Sequence, residues 1–400
     1  MKKVFALLMA AMMVMAMFAG CAPSDAGTTT AAAGETTAAA GETTAAATGV
    51  IKVGTSGPLT GDYAVYGVAV ANGLALAFEE INAQGGLQFA TQAQDDEADS
   101  EKAVNAYNTL MDWGMQIMAG PTTSGSAAAA AAECVADSVF MLTPSASDAA
   151  VIQAGDNVFQ ICFSDPNQGK ASADYIFDNK VAETVGVIYD SSSAYSAGIY
   201  ATFKAQADAV GLNVAAVESF TADNKADLTT QVTKCKEAGC DLVFLPLYTA
   251  EAAQVLTCAD KIGYETKFFG CDGLDGILGV EGFDTALAEG VMLLTPFDAT
   301  ATDAKTQNFV TAYTEKYATT PNQFAADAYD VGYAIAQACA AAGVTADMSA
   351  EEICEVMVEQ FTSMTFDGLT GEGMTWSTDG AVSKYPKAVM IKDGVYVTAE

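Results

Sequence analysis

Residues 51–67 read IKVGTSGPLTGDYAVYG, a stretch that contains a strand, a glycine-rich loop and the start of a helix. The apolar residues from 50 to 55 predict the strand, which leads into the loop at 57–61. An amphipathic segment at 64–83 predicts the helix. Strand, loop and helix in this order form the repeating unit of α/β proteins.

The same unit recurs along the chain after this stretch. Further strands are predicted at 87–93, 115–119, 139–142, 183–189, 213–220, 241–245 and 267–269. Helices are predicted between them at 99–113, 124–137, 195–210, 227–238 and 250–262. Strands that alternate with helices indicate parallel sheets covered on both faces, so we expect an α/β fold with Rossmann-like sheets.

Two lobes are indicated by the length and by a break in the pattern. The roughly 350 residues from 50 to 400 are long for one doubly wound sheet. The alternation also restarts after the polar stretch 164–168, which predicts a crossing between lobes near 162–168. At the end of the chain, Asp393 and Gly394 between two apolar runs predict a hairpin.

The N-terminus has the pattern of a secretory signal. Lys2 and Lys3 precede an unbroken run of small and apolar residues at 4–20, and Cys21 follows directly. The residues before the cysteine, 18–20, resemble a lipobox, which implies that residues 1–20 are removed and that Cys21 is lipidated. The alternative is an uncleaved membrane helix, although seventeen residues are at the short limit for spanning.

Residues 21–49 predict a disordered linker behind the lipidated cysteine. Apart from Cys21, the segment contains mainly Ala, Thr and Gly, and the sequence AAAGETT at 31–37 is repeated at 38–44. It offers almost no apolar area to bury. Such a coil spans roughly 30 Å on average. We expect it to tether the folded part to the cell membrane, in a cell with one membrane and a thick wall.

The large negative net charge disfavours several classes of binding partner. The full chain has a formal charge of −33, and removal of Lys2 and Lys3 with the signal leaves 15 basic and 50 acidic residues, or −35. The mature protein is expected to repel nucleic acids and anionic lipid surfaces. The acidity also disfavours a highly charged anionic ligand.

The residue types exclude common catalytic and metal sites. The chain has no histidine, which eliminates Ser-His-Asp and Cys-His catalysis and histidine-ligated zinc. Cys235 and Cys240 lack the spacing of a zinc pair. For the eight cysteines after Cys21 we expect mostly buried free thiols, with room for one bridge whose partners the sequence does not assign.

No cofactor or metal is predicted. The acidic run 95–99 lacks the glycine and distal glutamate of an EF-hand, so we expect a solvated loop in which Asp99 caps a helix. The glycines at 270, 273 and 276 are too widely spaced for a dinucleotide-binding fingerprint.

Loops at the carboxyl ends of the predicted strands carry the candidate site, because ligands of open α/β sheets bind there. Ser124 and Ser147 stand before predicted helices, where a helix cap and free amides attract a carboxylate. Asp272 follows a strand of the other lobe and can pair with an ammonium group. Taken singly, each serine is also explained as a plain cap, and Asp272 as a turn residue.

Six short motifs in register resemble the leucine/isoleucine/valine-binding protein family, which has the type I periplasmic-binding fold. They are IKVGTSGPLTGDYAVYG at 51–67, INAQGG at 81–86, DDEAD at 95–99, AGPTTSGS at 119–126, TPSAS at 143–147 and GCDG at 270–273. The resemblance covers essentially all of 50–400. It implies two lobes joined by a multi-stranded hinge, with lobe I at 50–163 and 296–366 and lobe II at 164–295 and 367–400.

The resemblance also implies roles for individual residues. The ligand carboxylate falls at Ser124, the backbone of Ser145 and the hydroxyl of Ser147, and the ligand ammonium falls at Asp272. Three tyrosines surround the rest of the ligand, and they are Tyr66, Tyr195 and Tyr248.

Two positions depart from the family. The acid at 272 is often Glu in the family, and Asp is one methylene shorter, so the second lobe must approach more closely or use a water. A disulfide of the family would join positions that are Ala98 and Thr123 here. The pocket is therefore not guaranteed to prefer Leu, Ile or Val.

The function expected from this resemblance is that of an extracytoplasmic, lipid-anchored and monomeric substrate-binding protein. It would bind an amino acid, branched-chain or similar, between the lobes and deliver it to the permease subunits of an ABC transporter. The alternative is an amino-acid or amide sensor with the same cleft and no transport role. An enzyme is not expected, because no nucleophile is paired with a base.

Overall fold

The computed structural model describes residues 49–399. The predicted signal peptide, the lipidation at Cys21 and almost all of the predicted linker lie outside these residues. They stay predictions.

Twelve strands in two sheets make up the β-structure of residues 49–399. The strands are β1 Ile51–Gly57, β2 Phe89–Asp95, β3 Ile117–Met118, β4 Phe140–Thr143, β5 Val158–Gln160, β6 Val185–Asp190, β7 Val214–Phe220, β8 Leu242–Leu245, β9 Lys267–Gly270, β10 Met292–Thr295, β11 Lys387–Lys392 and β12 Val395–Thr398.

Helices alternate with most of these strands. They are α1 Ala64–Gln84, α2 Ser100–Trp113, α3 Ser124–Ala136, α4 Ala149–Ile152, α5 Asp165–Asp178, α6 Ala194–Val210, α7 Thr229–Glu237, α8 Thr249–Lys261, α9 Ala304–Tyr317, α10 Gln323–Ala342 and α11 Ala350–Phe361. The predicted α/β alternation is confirmed.

The first sheet has the order β2-β1-β3-β4-β5, and all of its strands are parallel. Its longest pairing, β1 with β2, runs in register from Ile51 opposite Phe89 to Gly57 opposite Asp95. Every residue of β4 is buried, because helices cover both faces of the sheet. This sheet and its helices form the first lobe.

The second sheet has the order β12-β11-β10-β9-β8-β6-β7 and forms the second lobe. Strands β6 to β10 are parallel, whereas β11 runs antiparallel to β10 and to β12. The turn between β11 and β12 places Asp393 at φ 52° and Gly394 at φ 73°, as a two-residue hairpin requires. The predicted hairpin is confirmed.

Helix α1 is a core helix of the first lobe. By length and composition alone it could cross a membrane, but half of its most apolar window is buried against the protein. A Cβ atom at Gly73 would come within 2.1 Å of the Ala325 carbonyl oxygen, and one at Gly332 within 2.6 Å of the Ala77 Cβ. Glycine at these two positions therefore lets α1 and α10 pack closely.

The lobe boundary after residue 366 is wrong as predicted. Met374, Trp376 and Val382 are buried in the core of the first lobe, and the Trp376 indole N–H donates to the Gln160 carbonyl oxygen at 2.8 Å. Phe366 and Met374 form an antiparallel bridge, and the turn between them folds these apolar side chains back onto the first lobe. The chain enters the second lobe only at about 385, before β11.

Three segments connect the lobes, at 161–165, 295–297 and 384–387. Lys384 lies at the last of them and is 3 % exposed. Its ammonium group forms an ion pair with Asp327 of α10 and donates to the Thr370 hydroxyl at 2.6 Å and to the Ile161 carbonyl oxygen at 3.1 Å. One buried cation thus joins two connecting segments to the first lobe.

The eight cysteines among the described residues are free and buried, which agrees with the expectation of buried thiols. Asp99 caps α2 by accepting a hydrogen bond from the Lys102 amide at 2.9 Å, as predicted.

We predict that Lys384→Met destabilises the protein by about 3–5 kcal/mol, because it leaves the Asp327 carboxylate buried without a counter-charge. Lys170→Met serves as the control, since Lys170 pairs with Asp174 at the surface and its side chain is 60 % exposed. The control should change the free energy of unfolding by less than about 0.5 kcal/mol. Chemical denaturation measures both variants, and equal stabilities would contradict the prediction.

Candidate functional site

A narrow cleft lies between the two lobes, and its own lining side chains almost fill it. Loops and helix ends from both lobes contribute to its wall. The lining residues are Tyr66, Thr122, Thr123, Ser145, Tyr195, Tyr248, Asp272, Gly273 and Phe324.

The first lobe contributes the start of α3 to the cleft. Thr123 is the N-cap residue in extended conformation, and its hydroxyl has no hydrogen-bond partner. Ser124 is the first helical residue, and its hydroxyl oxygen accepts a hydrogen bond from the Asp148 amide at 3.2 Å. The prediction of Ser124 as the cap is therefore wrong by one position, because the loop enters the helix one residue earlier.

The loop after β4 shows the same shift of one residue. Asp148, not Ser147, caps α4 by accepting from the Ala150 amide at 2.8 Å. Ser147 is thereby released from capping: it is fully buried and its hydroxyl has no partner. Ser145 lines the cleft and donates its hydroxyl to the Thr122 carbonyl oxygen at 2.7 Å.

Asp272 is the acid that the second lobe contributes to the cleft wall. It follows β9 and is 4 % exposed, and its carboxylate accepts a hydrogen bond from the Tyr195 hydroxyl at 2.7 Å. Its own amide donates to the Gln168 side-chain oxygen at 3.0 Å. Burial raises the pKa of Asp272 to about 6, and the hydrogen bonds from its neighbours oppose this rise only in part.

Aromatic rings form the remaining wall. The rings of Tyr195 and Tyr248 are stacked with centroids 4.7 Å apart, and Tyr66 meets Phe324 edge-on at 4.8 Å. The Tyr66 hydroxyl donates to the Gly273 carbonyl oxygen at 2.6 Å and accepts from the Thr249 amide at 2.7 Å. Tyr66 therefore connects α1 of the first lobe to two loops of the second.

Asp165 is a candidate residue that the sequence analysis assigned only to the lobe crossing. It begins α5 directly after the first connecting segment, is 1 % exposed, and neither carboxylate oxygen has a hydrogen-bond partner. Burial raises its pKa well above the usual value, the nearby Ser147 hydroxyl opposes this rise in part, and the charge of Asp272 adds to it. The signal that could have found it is its place after β5, a strand that the sequence analysis did not predict.

Several buried polar atoms near the cleft have no partner within the described part of the chain. The hydroxyls of Thr123 and Ser147 and the side-chain amide of Gln168 can donate, and both oxygens of Asp165 can accept. Such atoms are costly unless they are satisfied, and a bound ligand is one way to satisfy them. None of the lining residues is a lysine, and the chain contains no arginine.

All seven predicted site residues lie at or beside the cleft. Five of them line it, and they are Tyr66, Ser145, Tyr195, Tyr248 and Asp272. Ser124 and Ser147 are buried beside lining residues. No cluster of three potential metal ligands is present in residues 49–399.

Two lobes of parallel sheet with a polar and aromatic cleft between them define a binding protein for a small solute. The chain belongs to the periplasmic binding protein family, whose model matches residues 50–394.

Two proteins of similar sequence have names that fit this family. The chain is 31 % identical to Leu/Ile/Val-binding protein homolog 3 of Brucella melitensis over 56 % of its own length, a match that spans 61 % of that relative. It is 28 % identical to the leucine-, isoleucine-, valine-, threonine- and alanine-binding protein of Pseudomonas aeruginosa, over 80 % of this chain and 84 % of that one.

A solved structure shares the fold over the full length of its chain. The branched-chain amino acid transporter substrate binding protein LivJ of Streptococcus pneumoniae, in complex with isoleucine, superposes with a TM-score of 0.77 at 27 % identity. The superposition covers 88 % of this chain and all of that chain.

We predict that Asp272→Asn stabilises the ligand-free protein at pH 7.5 by on the order of 2–3 kcal/mol. The folded-state pKa of Asp272 lies above its unfolded value, so ionisation above pH 6 destabilises the folded state, and the variant removes that charge. The gain should fade as the pH falls from 6 to 4, where Asp272 becomes protonated.

Urea denaturation at several pH values measures this gain. Asp208→Asn is the control, since Asp208 is an exposed acid of the same lobe. A variant that is less stable than the wild type at pH 7.5 would contradict the prediction.

Proposed function

We propose that this chain is the extracytoplasmic substrate-binding protein of an ABC transporter and that it binds an amino acid, branched-chain or similar, between its lobes. The single observation that carries the proposal is the set of unpartnered polar atoms around the cleft. The unpartnered hydroxyls of Thr123 and Ser147 lie on the first lobe, and the unpartnered carboxylate of Asp165 lies where the second lobe begins.

This distribution of groups matches the two charges of a free amino acid. The hydroxyls of Thr123 and Ser147 and the free amides at the start of α3 suit a carboxylate, which the helix dipole also stabilises. Asp165 and Asp272 suit an ammonium group. A carboxylate held this way needs no arginine, in agreement with the composition.

The remaining wall suits an apolar side chain. Tyr66, Tyr248 and Phe324 present ring surfaces to the cleft. The named relatives bind leucine, isoleucine, valine, threonine or alanine, or were solved with isoleucine. These names favour a branched-chain or small aliphatic ligand for this chain as well.

Binding is coupled to closure because the ligand connects groups of different lobes. A zwitterion between the lobes contacts the hydroxyl donors of the first lobe and Asp272 of the second, so its binding favours the closed form. The closed form then presents both lobes to permease subunits. A sensor without a transport role is not favoured, since the named structural relative is a transporter component.

The proposal also covers the attachment of the protein to the membrane and its lack of catalytic activity. Lipidation at Cys21 and the linker at 21–49 would hold a monomer at the cell membrane, where it reaches the permease. We propose no catalytic activity, because the chain has no histidine and the cleft pairs no nucleophile with a base.

We predict that isothermal titration calorimetry against the twenty amino acids gives micromolar or tighter binding for at least one aliphatic amino acid. Asp272→Asn should weaken that binding at least about 100-fold, because truncation of a buried charge pair costs roughly 2–5 kcal/mol. Asp208→Asn is again the control. No binding tighter than millimolar by any amino acid would refute the assignment.

We also predict that affinity falls in acid. The ammonium group requires ionised Asp272, whose pKa in the ligand-free protein is about 6. The dissociation constant should therefore rise about tenfold between pH 7.5 and pH 5. Asp272→Asn should abolish most of this pH dependence, and a wild-type affinity that is constant over this range would contradict the role given to Asp272.

A further inference from the structure

A group of three side chains joins the lobes outside the ligand cleft. Tyr63 precedes α1 in the first lobe, whereas Lys225 and Glu251 belong to the second lobe. The Tyr63 hydroxyl donates to a Glu251 carboxylate oxygen at 2.5 Å. Lys225 donates to the same oxygen at 2.8 Å and to the Tyr63 hydroxyl at 3.0 Å. We call this group the interlobe clasp.

The clasp is distinct from the ligand site. None of its three residues lines the cleft. The Tyr63 ring contacts Tyr248 edge-on with centroids 5.2 Å apart, and the Lys225 ammonium lies 4.9 Å from the centre of the Tyr63 ring. The clasp therefore lies behind one aromatic wall of the cleft, where it can act on closure without touching a ligand.

Burial makes the clasp sensitive to the hydrogen bond that Tyr63 donates to Glu251 across the lobes. Glu251 is 4 % exposed, and its second carboxylate oxygen has no partner. Lys225 is in the same lobe as Glu251, so their ion pair does not require closure. The Tyr63 hydroxyl comes from the other lobe, and it compensates for the water that Glu251 loses when the lobes meet.

We infer that Tyr63 is a positioning residue for binding, which stabilises the closed form through Glu251 and Lys225 independently of the ligand. This inference rests on the proposed function only in that closure is the step that completes the binding site. A protein whose competent form is less populated binds with a proportionally higher dissociation constant.

Tyr63→Phe is the sharpest test because it removes one hydroxyl and keeps the ring. With L-isoleucine as the probe, the dissociation constant should rise about tenfold, as expected for loss of a hydrogen bond to a charged group. The change should be in the dissociation rate, measured by stopped-flow fluorescence, with the association rate within about twofold of the wild type.

Lys225→Met should have a larger effect, because it removes the counter-charge of the buried Glu251 and also the contacts of Lys225 with Tyr63 and Asp62 of the first lobe. The matched controls are Tyr200→Phe and Lys204→Met. Tyr200 stacks on Tyr189, and Lys204 pairs with Asp208, in each case within the second lobe. Both controls should bind and dissociate like the wild type, and melting temperatures identify any variant that fails to fold.

A second measurement does not depend on which ligand binds. Small-angle X-ray scattering of the ligand-free proteins should give a larger radius of gyration for Tyr63→Phe and Lys225→Met than for the wild type and the controls. If these radii differ but no amino acid binds, the clasp stands and the proposed ligand fails. If L-isoleucine binds while the radii and dissociation rates of both variants equal those of the wild type, the clasp is refuted.

Discussion

Two carboxylates without a counter-ion, Asp165 and Asp272, are the constraint on which the binding site depends. Both are buried, no lysine lines the cleft, and burial raises the pKa of each. Keeping such groups out of water costs free energy that the fold must supply elsewhere. The packed cores of the two lobes supply it. The carboxyl ends of the parallel strands place the acids near unpartnered hydroxyls, so the site is complementary to a molecule that carries both charges.

The segment that connects the lobes also contains a buried charge, that of Lys384, but here the protein supplies its partners. Lys384 is as deeply buried as the cleft acids, but an aspartate, a hydroxyl and a carbonyl oxygen surround its ammonium group. A buried ion whose hydrogen bonds and counter-charge are all supplied by the protein fixes one arrangement of the backbone. A buried ion without such partners instead binds a ligand or water. Lys384 thus holds the connecting segment to the first lobe, whereas the acids at the cleft remain free to pair with a ligand.

Local patterns predicted the elements better than their boundaries. The strand and helix of 51–84, and the closing hairpin, follow directly from periodicity and turn residues. The caps at Thr123 and Asp148 were missed by one position, because several adjacent residues are chemically able to cap and only the path of the loop selects one. Strand β5 has three residues and no clear period, so the strand was not predicted and Asp165 was not recognised as a residue at a strand end.

The sequence by itself determined the α/β class, the two lobes, the excluded chemistries and seven residues that the structure places at or beside one cleft. These follow from periodicity, composition and short motifs, which are local properties of the chain. Tertiary structure alone decided that residues 367–384 pack on the first lobe, that Asp165 is buried near Asp272 beside the cleft, and that Tyr63 contacts Glu251. Each of these depends on contacts between residues that are distant in sequence. Such contacts form only when the whole chain buries its apolar surface in the folded state.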